Sequence, residues 1–106
     1  MDRIAQLESF LEEDPDDAFT QFALAREHLK QDDLDTAQAY FEQLVAQQPD
    51  YLGTYYHLGK LYERRGAVEQ AIETYEQGID IARKQRDRKN LSELQDALMQ
   101  AKGVGF

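Results

Sequence analysis

Slid against itself, the chain matches at an offset of 34, with residues 18–51 lying over residues 52–85. A fixed internal period constrains a fold more than any single motif, because each period must be one structural unit that buries its apolar face against the next. The identities are Thr20/Thr54, Leu24/Leu58, Ala37/Ala71, Glu42/Glu76 and Gln43/Gln77, and matches of size and class surround them: Ala25 over Gly59, Leu34 over Val68, Phe41 over Tyr75, Val45 over Ile79. Inside the second unit Tyr55, Leu58, Gly59 and Tyr62 follow helical spacing, and Ala71, Ile72, Tyr75, Ile79 and Ala82 form a second amphipathic run after the break at Arg65-Gly66. The first unit repeats this with Phe22, Leu24, Ala25 and Leu29, a turn at residues 31–33, then Ala37, Phe41, Leu44 and Val45. Each unit is expected to be a helix, a turn and a helix.

The period extends backwards. Leu7, Phe10, Leu11, Pro15 and Asp16 stand 34 residues before Phe41, Leu44, Val45, Pro49 and Asp50, so residues 2–13 read as the second helix of a truncated repeat. Residues 88–102, with Leu91, Leu94, Ala97, Leu98 and Ala101, are amphipathic but out of phase with the period, and read as a capping helix that gives the stack a polar end. Six helices are expected, at 2–13, 17–31, 35–47, 52–65, 69–84 and 88–102, with a loose Gly-Val-Gly-Phe tail. A chain of 106 residues supports one modest core, hence a single domain over 1–106.

The second unit carries a recognisable set: Tyr55, Leu58, Gly59, Tyr62, Gly66, Ala71 and Tyr75. With it the sequence resembles the tetratricopeptide repeat (TPR) family, whose pattern is aromatic-x2-Leu-Gly-x2-Tyr, Gly at the turn, then Ala-x3-aromatic and a closing Pro. The first unit keeps Leu24, Ala25, Ala37, Phe41 and Pro49. It departs at Gln21 in the leading aromatic place, His28 for Tyr and Asp32 for the turn Gly, and the second unit has Arg83 for the closing Pro. The resemblance implies an all-α solenoid of antiparallel helices, with half repeat 2–13, repeat one at 18–51, repeat two at 52–85 and cap 88–102. It also implies a protein–protein interaction module without enzymatic activity.

Composition narrows the function further. A net charge of −9, from 21 acidic against 12 basic residues, argues against nucleic acid or an anionic membrane as partner. No cysteine is present, which suits a reducing compartment, and neither a secretory leader nor an 18-residue apolar run is visible, so the cytoplasm is the expected location. The balance of many Asp and five Lys would also suit a high-salt interior. With two serines and two histidines in different repeats, and no phosphate-cradling glycine loop, no catalytic constellation forms. Asp16-Asp17 and Asp32-Asp33 precede helices and read as caps, and Asp32-Asp33-Leu34-Asp35 lacks the spaced ligands of a Ca²⁺ loop. The basic run at 83–89 ends a helix and has no interleaved aromatic, so it too reads as capping. No cofactor or metal is expected.

One charge pattern remains. Between Ile4 and Ala82 only five basic residues face 17 acidic ones, and four of the five form two i, i+4 pairs, Arg26/Lys30 and Lys60/Arg64, spaced by the repeat. At 100° per residue Tyr56, Lys60 and Arg64 share a stripe away from the buried one, with Phe22, Arg26 and Lys30 as counterparts. In the family this is the concave face of the first helices, where relatives hold peptides. Phe22, Arg26, Lys30, Tyr56, His57, Lys60 and Arg64 are therefore the candidate peptide-binding residues, the cations engaging carboxylates and the aromatics giving apolar contact. The other reading is a merely solvated rim, with Glu27 or Glu63 neutralising the cations. Ala23 and His57 stand where carboxylate-clamp relatives have Asn, so that clamp is not reproduced. The expected partner is another protein's peptide segment, acidic or ending in a carboxylate; the alternative is a self-associating scaffold, a weak homo-oligomer, or an accessory subunit of a larger assembly.

Overall fold

Aspartates open most of the helices. The computed structural model describes residues 2–103, and in it six α-helices follow one another: α1 (Arg3–Glu13), α2 (Ala18–Lys30), α3 (Leu34–Gln47), α4 (Gly53–Arg64), α5 (Val68–Gln85) and α6 (Arg88–Ala101). Each end lies within one residue of the place expected from the sequence, and no strand occurs among the described residues. The expected tail falls, beyond Gly103, outside those residues. The carboxylates of Asp2, Asp17, Asp33 and Asp87 accept from the backbone N–H groups of Ala5, Thr20, Thr36 and Asn90, at the starts of α1, α2, α3 and α6. Such a cap satisfies one of the four N–H groups that a helix start leaves unpaired.

Two of the caps titrate with the fold. Hydrogen bonds from Thr36, first its side chain and then its backbone N–H, hold the Asp33 carboxyl below the usual carboxylate range, and the backbone N–H of Asn90 does the same for Asp87. A depressed folded value means that the contribution is fully present above the unfolded value, near pH 4, and is lost as pH falls through the folded value. Replacing both with Asn, which caps without titrating, is therefore expected to flatten the acid limb of helix content followed by circular dichroism. An acid limb unchanged in Asp33→Asn/Asp87→Asn would contradict this account.

The turns repeat as faithfully as the helices. Asp32 (φ 60°) and Gly66 (φ 81°), 34 residues apart, both sit in the left-handed region. Asp33 N–H bonds the His28 carbonyl at 2.9 Å and Ala67 N–H bonds that of Tyr62 at 2.8 Å, the same six-residue closure in each hairpin. Arg86 (φ 56°) ends α5 in the same way, with Asp87 N–H on the Ala82 carbonyl at 3.0 Å. The substitution of Asp32 for glycine thus leaves the turn intact, since Asp tolerates the left-handed conformation better than most residues.

The helices form two compact units, Met1–Tyr51 and Leu52–Phe106, divided at the boundary between the two 34-residue repeats. In the first, α2 packs on α1 and α3 around Leu7, Leu24, Ala25, Ala37, Phe41 and Leu44, all at most 3% exposed. Phe22 lies edge-on to Phe41 at 6.0 Å between centroids and tilted on Tyr51 at 5.4 Å. Gln21, in the leading aromatic place, is buried and its amide donates to the Pro15 carbonyl at 2.7 Å.

In the second unit α5 packs on both α4 and α6, and the α4–α5 hairpin closes through two reciprocal glycine–tyrosine contacts. A Cβ on Gly59 (α4) would lie 2.2 Å from Cε1 of Tyr75 (α5), and a Cβ on Gly78 (α5) would lie 2.6 Å from Cβ of Tyr55 (α4). Each helix opens a gap for the other's ring. The repeat-one counterparts of Tyr55 and Gly78 are Gln21 and Leu44, so the larger aliphatic or aromatic bulk has moved from one helix to the other between repeats. Tyr75 is wholly buried and its hydroxyl donates to the Glu63 carboxylate; burial first, and that carboxylate second, push its ionisation far above the ordinary tyrosine range.

Candidate peptide-binding faces of the first helices

The candidate residues fall on two helices, one in each unit, and the two sets have the same internal geometry. On α2 the Arg26 guanidinium carbon lies 5.8 Å from the Phe22 ring centroid; on α4 the Lys60 ammonium lies 5.5 Å from that of Tyr56. Both follow from i, i+4 spacing, which brings the side chains onto one helix face. A glutamate accompanies each cation: Lys30 Nζ is 3.3 Å from Glu27 Oε1, and Lys60 Nζ is 3.8 Å from Glu63 Oε2. Arg3 of α1 also approaches Glu27, at 3.9 Å. Arg64 is exposed and takes part in other side-chain interactions.

Magnitudes decide what this pairing means. Like charges at i, i+4 cost about 0.2–0.5 kcal/mol. A cation over an exposed ring returns about 0.5–1 kcal/mol, and a surface ion pair roughly 0–1 kcal/mol. The repulsion inside each pair is thus offset by its own helix. His28, which replaces the family's Tyr, stacks on Tyr40 at 5.8 Å and sets its Nδ1 3.5 Å from the Asp33 carboxylate, a packing position in the α2–α3 hairpin.

In the second unit the candidate face continues into a cleft of about 350 Å³ between α4 and α6. Tyr56, His57 and Lys60 line one side; Glu93, Asp96 and Gln100 line the other, together with the buried Ala97. The rings of Tyr56 and His57 meet edge-on at 5.6 Å. Sequence reasoning missed the α6 side because it placed that helix out of phase. The signal is an offset of 36 instead of 34, at which Tyr55, Leu58, Leu61 and Tyr62 fall on Leu91, Leu94, Ala97 and Leu98, and His57, Lys60 and Arg64 fall on Glu93, Asp96 and Gln100. At these equivalent positions the charge becomes less positive, and it inverts at Lys60/Asp96.

The family model for the tetratricopeptide repeat matches residues 22–86, more than half of the chain. The chain belongs to the tetratricopeptide repeat family. Its TPR hairpins are similar to those of a tetratricopeptide repeat domain protein from Salinibacter ruber, whose crystal structure is 57% identical, with 84% of this chain and 100% of that chain covered and a TM-score of 0.80. The solution structure of a tetratricopeptide repeat domain protein from the same organism gives 58% identity, 87% and 93% coverage and a TM-score of 0.82. A protein from Bordetella parapertussis shares the fold at 22% identity, with 96% and 89% coverage and a TM-score of 0.81. No curated protein matches. TPR chains serve in general as protein–protein interaction modules. Among the described residues no helix is long and apolar enough to cross a membrane, and no group of three or more metal-ligating side chains is assembled.

Proposed function

We propose that this TPR chain is a non-catalytic interaction module of the cytoplasm. In this reading its 106 residues work as one domain, and its first-helix faces hold a partner's peptide segment bearing acidic side chains or a C-terminal carboxylate. The observation that supports this reading is the recurrence, in both repeats, of a solvent-facing cation set over an aromatic ring, Arg26 on Phe22 and Lys60 on Tyr56. Lys30 and Arg64 add a second cation to each face one turn on. The intrahelical pairs with Glu27 and Glu63 are weak surface interactions, so a partner carboxylate displaces them at small cost and gains a charge-assisted hydrogen bond.

The test is a fluorescence-anisotropy titration with a labelled decapeptide that alternates Glu and Leu and ends in a free carboxylate. Reversing one cation on each face, Arg26→Glu with Lys60→Glu, is expected to weaken binding by about tenfold or more. Unchanged affinity with helix content intact would remove the groove assignment. Self-association is the second reading, favoured by Phe10, which is 55% exposed where its repeat counterpart Leu44 is 0% exposed. Light scattering on the same samples separates the two, since a mass that grows with concentration and reverts in Phe10→Ser supports assembly.

A further inference from the structure

The α4–α6 cleft does not have the charge that its first helix suggests. Its cation, Lys60, is already engaged: its ammonium stands over the Tyr56 ring and 3.8 Å from the Glu63 carboxylate. Its anions are not. The side chains of Glu93 and Asp96 are exposed, and neither carboxylate has an ion-pair or hydrogen-bond partner among the described residues. Their i, i+3 spacing puts both on one face of α6, towards the aromatic wall formed by Tyr56 and His57.

We propose that this cleft receives a basic side chain of the bound segment, an arginine in preference to a lysine, held by the Glu93 and Asp96 carboxylates and stacked on the Tyr56 side. The proposal rests on the reading that these faces hold a peptide, and it names the residue that the α6 end selects. A guanidinium presents five donors in a plane, enough to serve two carboxylates while its face lies on a ring. The volume, about 350 Å³, is at the low end of ligand clefts and suits one side chain. A metal ion fits less well, because the described residues assemble no third protein ligand there. The preferred segment therefore has mixed charge: an anion for the cations of the first helices, and a cation for α6.

The experiment is an amide-resolved NMR titration of the full chain with two capped peptides, acetyl-Ala-Arg-Ala-amide and acetyl-Ala-Glu-Ala-amide, at physiological ionic strength. The arginine peptide is expected to shift the α6 amides of Glu93, Asp96 and Gln100 saturably, and the glutamate peptide, whose expected contacts are on α4, to leave those α6 amides in place. Glu93→Gln with Asp96→Asn, both near-isosteric and exposed, is expected to weaken the arginine peptide by about tenfold. Glu12→Gln with Glu13→Gln on α1, which removes the same charge elsewhere, is expected to leave its binding unchanged.

Several results would overturn the proposal. They are no saturable shift at the cleft, equal shifts from both peptides, undiminished binding by the Glu93/Asp96 variant, or equal weakening by both pairs, which would mark a diffuse field. If the acidic decapeptide still responds to Arg26→Glu/Lys60→Glu while the arginine peptide fails, only this inference falls. If the arginine peptide binds the cleft and the decapeptide is indifferent to that variant, the cleft stands and the acidic half of the broader reading falls.

Discussion

Gly59→Leu is expected to lower the unfolding free energy by about 3 kcal/mol, the upper end of overpacking costs, measured by urea denaturation. The first atom added already collides, since a Cβ there meets Tyr75 Cε1 at 2.2 Å, Cζ at 2.6 Å and Cδ1 at 2.7 Å. The ring has little room to yield: it is wholly buried and its hydroxyl is tied to Glu63. Either the ring leaves the core or α4 and α5 separate. Alanine is the sharper probe because two effects oppose. Helix propensity favours Ala over Gly by about 1 kcal/mol, whereas overpacking costs about 1–3 kcal/mol, so Gly59→Ala is expected to destabilise on balance, and by less than leucine.

Tyr75→Ala is expected to cost about 3–5 kcal/mol, the range for deleting a large buried ring, against a total domain stability of about 5–15 kcal/mol. It empties the space between the hairpin helices and leaves the Glu63 carboxylate without its phenol. The decisive measurement is the double variant. In the Tyr75→Ala background the Gly59→Ala change has no ring to meet, so only its helix propensity remains and its effect should turn stabilising, by up to about 1 kcal/mol. The same cost for Gly59→Ala in both backgrounds would mean that the glycine is not there to admit the tyrosine.

Because local propensity and packing point the same way in this chain, the 34-residue period and the alternation of small and large residues made the helices and their ends legible. The acidic pairs before α2 and α3 pointed to the caps at Asp17 and Asp33, though not to those at Asp2 and Asp87. The match of Ala25 over Gly59, small on small, was the visible trace in the sequence of the close approach at Gly59. Gly78 left no such trace, because its counterpart is the fully buried Leu44 and the bulk has crossed to Tyr55, an exchange between helices that a comparison along the chain cannot show. The α6 side of the cleft was hidden by the length of α5, 18 residues against 14 in α3. That helix runs on to a left-handed Arg86 instead of a glycine or proline stop, and the extra length moves the register of everything after it. The pairing of Glu27 and Glu63 with the candidate cations was open in the sequence, since i, i+3 spacing permits such contacts without requiring them.

Glu63 joins two things that solenoid surfaces usually keep apart. One of its oxygens accepts from the hydroxyl of a core tyrosine and faces the ammonium of Lys60, which lines the cleft. An anion that draws Lys60 away leaves Glu63 a stronger acceptor for Tyr75, and a phenol's absorbance shifts with the strength of the hydrogen bond it donates. The chain has no tryptophan to mask that change. A carboxylate bound at that face is therefore expected to reach the core as a change in tyrosine absorbance, and the part of it that Tyr75 contributes, among the six tyrosines of the chain, is the part lost in Tyr75→Phe.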